Sequence, residues 1–117
     1  MRVGAVQFKA DTSDLAGSLD RLAHLTEQAA QHAELVVLPE MAATGYLFDS
    51  PTSVRRVAEP ADGPTLARLS PIAKAHKSWI VAGFPEIDGD ALYNSALVID
   101  PTGALAFTYR KTLLFEA

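Results

Sequence analysis

Glu40 stands directly after Leu35-Val36-Val37-Leu38-Pro39, so a carboxylate is delivered to the point where an apolar strand should stop. Lys111 follows Leu105-Ala106-Phe107-Thr108-Tyr109-Arg110, which brings a cation to the end of a second apolar strand. Strand ends are where α/β proteins build their sites. An acid and a base presented in this way can move a proton and stabilise developing negative charge. The third fact is an absence: the 117 residues include no cysteine, so the chain holds no thiolate nucleophile, disulfide or thiolate metal site. His24, His32 and His76 have no paired-ligand spacing. No metal and no cofactor is expected.

A strand-end carboxylate such as Glu40 is by itself more often solvated than catalytic. Lys111 gains weight because it shares a face, by period-two alternation, with Leu105, Phe107 and Tyr109. An ammonium drawn toward apolar surroundings needs a carboxylate partner, and Glu40 is the candidate. Tyr46, just past Thr44-Gly45, is a candidate substrate-binding residue, with a packing anchor as the alternative reading.

The elements that must position these residues alternate. Arg2 to Phe8 has strand composition, and the stretch from Ser13 to His32 carries Leu15, Leu19, Leu22, Ala29 and Ala33 at helical spacing, with Ser13 or Asp14 as cap. Leu35 to Leu38 is continuously apolar, as expected of a strand covered on both faces and paired in parallel with the first. Ser50-Pro51 can cap and start a short helix with Val54 and Val57. Gly63-Pro64 opens a further helix with Leu66, Leu69, Ile72 and Ala73 on one face, and Pro71 inside it predicts a kink or two short pieces. Trp79 to Phe84 reads as a strand ended by Pro85, forming a hairpin with Leu92 to Ile99 through Asp88-Gly89-Asp90. Asp100-Pro101-Thr102-Gly103 turns the chain into the last strand.

Composition fits a globular α/β chain, with 49% hydrophobic and 21% charged residues. A net charge of -4 with interspersed signs argues against nucleic-acid or membrane-surface partners. No apolar run approaches a membrane span and Gln7 and Lys9 interrupt the amino-terminal one, so a cytoplasmic location is expected.

Five segments then stand in a telling order: Val36-Val37-Leu38-Pro39-Glu40, Thr44-Gly45-Tyr46, Val81-Ala82-Gly83-Phe84-Pro85-Glu86, Tyr93-Asn94-Ser95-Ala96 and Tyr109-Arg110-Lys111-Thr112-Leu113-Leu114-Phe115. In that order the chain resembles the nitrilase superfamily of carbon-nitrogen hydrolases over essentially its whole length. The resemblance implies an α-β-β-α sandwich and a Glu-Lys-Cys triad acting on a small amide or nitrile. Glu40 would occupy the general-base position and Lys111 the lysine position. The family's cysteine, some tens of residues beyond the lysine, has no counterpart here, and Glu116 lies too close to Lys111 to match the further glutamate that many members keep between the two.

Residues 1–117 are therefore expected to be the amino-terminal portion of a single hydrolase domain, cut before the nucleophile, inactive alone, and prone to self-association or to binding a completing chain. The alternative is a non-catalytic binding or assembly module whose open sheet edges accept added strands. With the domain incomplete, Leu105, Phe107 and the strand from Leu92 to Ile99 are expected to face solvent or another chain.

Overall fold

The structure is a computed structural model and describes residues 1–45 and 50–111. Its elements run β1 (Val3–Ala5), α1 (Leu15–Ala30), β2 (Leu35–Val37), α2 (Pro51–Val57), α3 (Pro64–His76), β3 (Trp79–Asp88), β4 (Ala91–Ile99) and β5 (Leu105–Arg110). They form one five-stranded sheet in the order β1-β2-β3-β4-β5. The first three strands are parallel, and β4 and β5 are antiparallel additions. No described helix is long and apolar enough to cross a membrane.

Local chemistry sets the helix starts. Asp14 caps α1 by accepting from Gly17 N at 3.0 Å, and Ser50 caps α2 by accepting from Ser53 N at 3.2 Å. At α3 the cap comes from a distance: Glu59 accepts from Thr65 N at 2.7 Å and from Thr65 Oγ1 at 2.9 Å. Burial raises the pKa of Glu59, against the lowering effect of the Thr65 bonds.

Helices α1 and α3 lie on one sheet face. Leu22 and Ala23 of α1 and Leu69, Ile72 and Ala73 of α3 pack with Val36, Ile80, Ala82, Phe84, Leu97 and Ile99 into the core. β3 and β4 contribute alternate residues to it, as a one-sided sheet requires. The other parity faces outward, where Val3 is 59%, Phe107 58% and Tyr109 59% exposed.

Several expectations change. β2 is covered on one face, since Val36 is buried while Val37 is exposed. Pro71 sits inside a single helix, α3, on its exposed side, where water can satisfy the carbonyl it leaves unbonded. Pro85 does not end β3. Asn94, paired opposite it, turns its carbonyl to β5 by accepting from Lys111 N at 2.9 Å, while the Pro85 carbonyl accepts from Glu59 N at 3.0 Å on the far side. The missing N–H therefore costs the β3–β4 ladder nothing. Leu97 and Ile99 of β4 are buried rather than solvent-facing. Leu105 also packs against the core, because the register shifts by one residue between Val98 and Ile99 and Leu105 pairs with Ile99. Only Phe107 and Tyr109 of β5 remain on the outer face as expected.

Candidate active site

The chain that carries Glu40 is laid against β3. After β2 ends, Leu38 N donates to Val81 O at 2.8 Å and Ala42 N to Gly83 O at 3.0 Å. Met41, buried, turns the backbone with a φ of 47°. A Cβ at Gly83 would stand 2.6 Å from Glu40 Cα, 2.8 Å from Pro39 O and 3.0 Å from Met41 N, all backbone atoms. Glycine is the residue that lets the Glu40 turn approach β3 this closely.

Lys111 reaches the same place from β5. Its Nζ forms an ion pair with Glu40 Oε1, the two side chains being 47% and 42% exposed. Asn94 joins both: its Nδ2 donates to Glu40 Oε1 at 3.4 Å, a long contact, and its carbonyl accepts from Lys111 N. Sequence reasoning missed Asn94 as a site residue. The usable signal was its parity, since it lies two residues before Ala96 on the outer-face register of β4.

These polar groups border a cavity of about 130 Å³ whose apolar walls are Leu38, Val81, Ala96 and Tyr109. A second cavity of about 370 Å³, bordered by Phe8, Lys9, Thr12 and Met41, shares Glu40. Glu40 thus stands between two spaces, with its charge opposed by an ammonium and solvated by an amide. Tyr46 lies outside the described residues. His24 and His32 are exposed, and His76 approaches Glu27 at 3.7 Å, all away from the Glu40 cavity. Among the described residues no group of His, Cys, Asp and Glu is assembled that could hold a metal ion.

A second acid and base meet on the helix-covered face. Glu86, 4% exposed, accepts from Arg110 Nε at 2.9 Å and Arg110 Nη2 at 3.1 Å, and from Ser95 Oγ at 2.8 Å. Arg110 also bonds Asp88 at 2.9 Å and lies 4.0 Å over the Tyr93 ring. The Arg110 hydrogen bonds hold the Glu86 carboxyl below its ordinary range. Those to Glu86 and Asp88 raise the guanidinium pKa further.

A mixed sheet with helices on one face and an acid-base pair at its strand ends describes an α/β scaffold with a candidate site, without naming its chemistry. The comparison with known proteins does name it: residues 2–117 match the carbon-nitrogen hydrolase family, to which this chain belongs. A Pseudomonas protegens protein described as "Hydrolase in pqqF 5'region" is 41% identical over 117 residues, covering 98% of this chain and 40% of its own length. A Pyrococcus abyssi protein named "Nitrilase" is 44% identical over 92 residues, covering 78% of this chain and 35% of its own. Among solved structures, an N-terminal amidase superposes with a TM-score of 0.85 at 28% identity, covering 99% of this chain and 29% of that one. The fold is that of the nitrilase superfamily, and the chain spans less than half the length of these relatives.

Proposed function

We propose that residues 1–117 form the amino-terminal portion of a carbon-nitrogen hydrolase domain that cleaves a small amide or nitrile by a Glu-Lys-Cys mechanism. The observation that carries this reading is the Glu40–Lys111 pair beside an apolar-walled cavity. The outer sheet face, with Val3, Val37, Trp79, Phe107 and Tyr109 exposed, supports the domain assignment, because a sandwich needs a second layer there. The low coverage of each relative supports it too. Both substrate classes stay in view because the relatives include proteins named nitrilase and protein N-terminal amidase.

In this mechanism Glu40 takes the proton of a cysteine thiol supplied by sequence beyond this chain. The thiolate attacks the substrate carbon, and for an amide the Lys111 ammonium stabilises the charge that develops on oxygen. Collapse expels the amine, which receives the proton from Glu40, and leaves a thioester. Glu40 then deprotonates the water that attacks the thioester carbon, the carbon–sulfur bond breaks to release the acid, and the departing thiolate recovers that proton from Glu40. For an amide the net change is cleavage of the C–N bond by one water; a nitrile consumes two waters and releases the acid and ammonia.

The test compares two proteins on a panel of small amides and nitriles. The 117-residue chain is expected to turn over none of them. A longer gene product containing this segment and a downstream cysteine is expected to hydrolyse at least one, and Glu40→Gln and Lys111→Met should each remove most of the rate. Full activity in Glu40→Gln overturns the reading, and turnover by the short chain that survives that substitution identifies a contaminant.

A further inference from the structure

We propose that Arg110 is a positioning residue for Lys111: its clamp on Glu86, on the covered face of the sheet, holds the end of β5 so that Lys111 meets Glu40 on the open face. The inference rests on the reading of Glu40 and Lys111 as the acid-base pair of the site.

Its basis is the placement of two adjacent cations. Consecutive residues of a strand point to opposite faces, so Arg110 and Lys111 diverge by construction. Arg110 pairs in register with Ser95 and joins the covered face, while Lys111 N makes the next ladder bond, to Asn94 O at 2.9 Å. β5 is an edge strand, bonded on one side to β4, and Ala106, Phe107, Tyr109 and Arg110 are exposed. An edge strand with this little burial opens easily from its end. Something must keep Lys111 in place, and neither its own ladder bond nor its half-exposed ion pair suffices for that.

The Arg110 guanidinium supplies the restraint. It binds both oxygens of Glu86 and one oxygen of Asp88, and it rests on the ring of Tyr93. Glu86 and Asp88 belong to β3 and Tyr93 to β4, so one side chain ties the end of β5 across two neighbouring strands. The anchor is itself fixed, because Glu86 is buried, accepts from Ser95 Oγ, and lies in a strand segment bridged to Glu59. A planar, bidentate fork restrains orientation in a way that a lysine ammonium at the same position does not.

A structural stabiliser and a positioning residue differ in what happens to the neighbouring pair, so the readout is the chemical shift of the Lys111 side-chain signal by NMR. In the parent, Glu40→Gln is expected to shift the Lys111 side-chain signal, since it removes the carboxylate opposed to the ammonium. In the Arg110→Met background that response should disappear while the amide signals of Leu97 and Ile99 keep their dispersion. Arg110→Lys, which retains charge without the fork, should reduce the response, and Glu86→Gln should reduce it from the other side. If Arg110→Met does not fold, the Arg110→Lys result decides. An undiminished response in Arg110→Lys and Glu86→Gln, or in a folded Arg110→Met, overturns the proposal. If Glu40→Gln leaves Lys111 unmoved in the parent, the pairing itself fails and the positioning role goes with it, an outcome distinguishable because it needs no Arg110 variant.

Discussion

Two glutamates meet cations from consecutive residues, Arg110 at the end of β5 and Lys111 just past it, on opposite faces of one sheet, and their surroundings differ. Glu86 is buried, bonded by Ser95 and held bidentately by Arg110. Glu40 is about half exposed, opposed by Lys111 and approached by the Asn94 amide at 3.4 Å, and it borders two cavities. A carboxylate whose acceptor positions are filled by fixed donors is committed to the fold. One that keeps room beside it can exchange its partner for a reacting group. On the proposed reading, the covered face builds the structure and the open face presents the chemistry.

That contrast breaks first, and hardest, at matched truncations. Leu97→Ala removes a fully buried side chain from the covered face and should cost about 2–5 kcal/mol. Phe107→Ala, 58% exposed on the open face, should change the stability of this chain by no more than about 0.5 kcal/mol. Urea unfolding of the two variants measures both, and equal costs would mean that the open face is covered in solution.

Gly83→Ala comes next, because it places a methyl against the backbone of residues 39–41. We expect about 1–3 kcal/mol of destabilisation. The chemical shifts of Glu40 and Lys111 should move more than those of Glu86 and Arg110. If both pairs move equally, the contact is a general packing defect and does not specifically seat Glu40.

The smallest effect is a slope. Glu86 has a depressed pKa, so its contribution is present above the ordinary carboxylate value of 4.5 and is lost as pH falls through its lower folded value. Glu59 has a raised pKa, so its contribution is complete below 4.5 and is lost as pH rises through its higher folded value. Glu86→Gln should flatten the acid limb of the urea midpoint against pH. Asp11 and Asp100, held low by Ser13 and Thr102, should leave a residual slope there. Glu59→Gln should flatten the limb above 4.5 instead. Identical profiles for the two variants would contradict the opposite signs.

The open face was the easier one to read from sequence. Leu35 to Pro39 ends in Glu40, and period-two alternation put Phe107, Tyr109 and Lys111 together, with Leu105 wrongly among them; strand ends made Glu40 and Lys111 candidates, and the family resemblance gave them their roles. The covered-face pair was not, because Pro85 reads as a strand stop and hid Glu86 inside β3. A proline is tolerated there only because the missing N–H points away from β4, a fact of pairing that no local pattern carries. Asn94 was missed for a related reason: its relevance depends on which residues stand across the sheet, not on its neighbours in sequence. The strand stop at Pro39-Glu40 was legible, but the need for glycine at position 83 arises from the backbone of residues 39–41, more than forty positions earlier. α3 came out as one helix because Pro71 falls on its wet side, which periodicity indicated and the proline rule outweighed.

The register shift at Val98/Ile99 has a consequence in counting. Leu105 pairs with Ile99 and points to the core, yet Phe107, two residues later, points outward, because β5 spends Ala106 without advancing along β4. Parity along the strand is therefore reset once. Counted from Leu105 without that reset, residues 107, 109 and 111 would all face the helices, and Arg110 would face the cavity. The two cations would change places, the guanidinium in front of Glu40 and the ammonium beneath the sheet with Glu86. A single surplus residue, in a position that makes no contact with either acid, decides which base meets which.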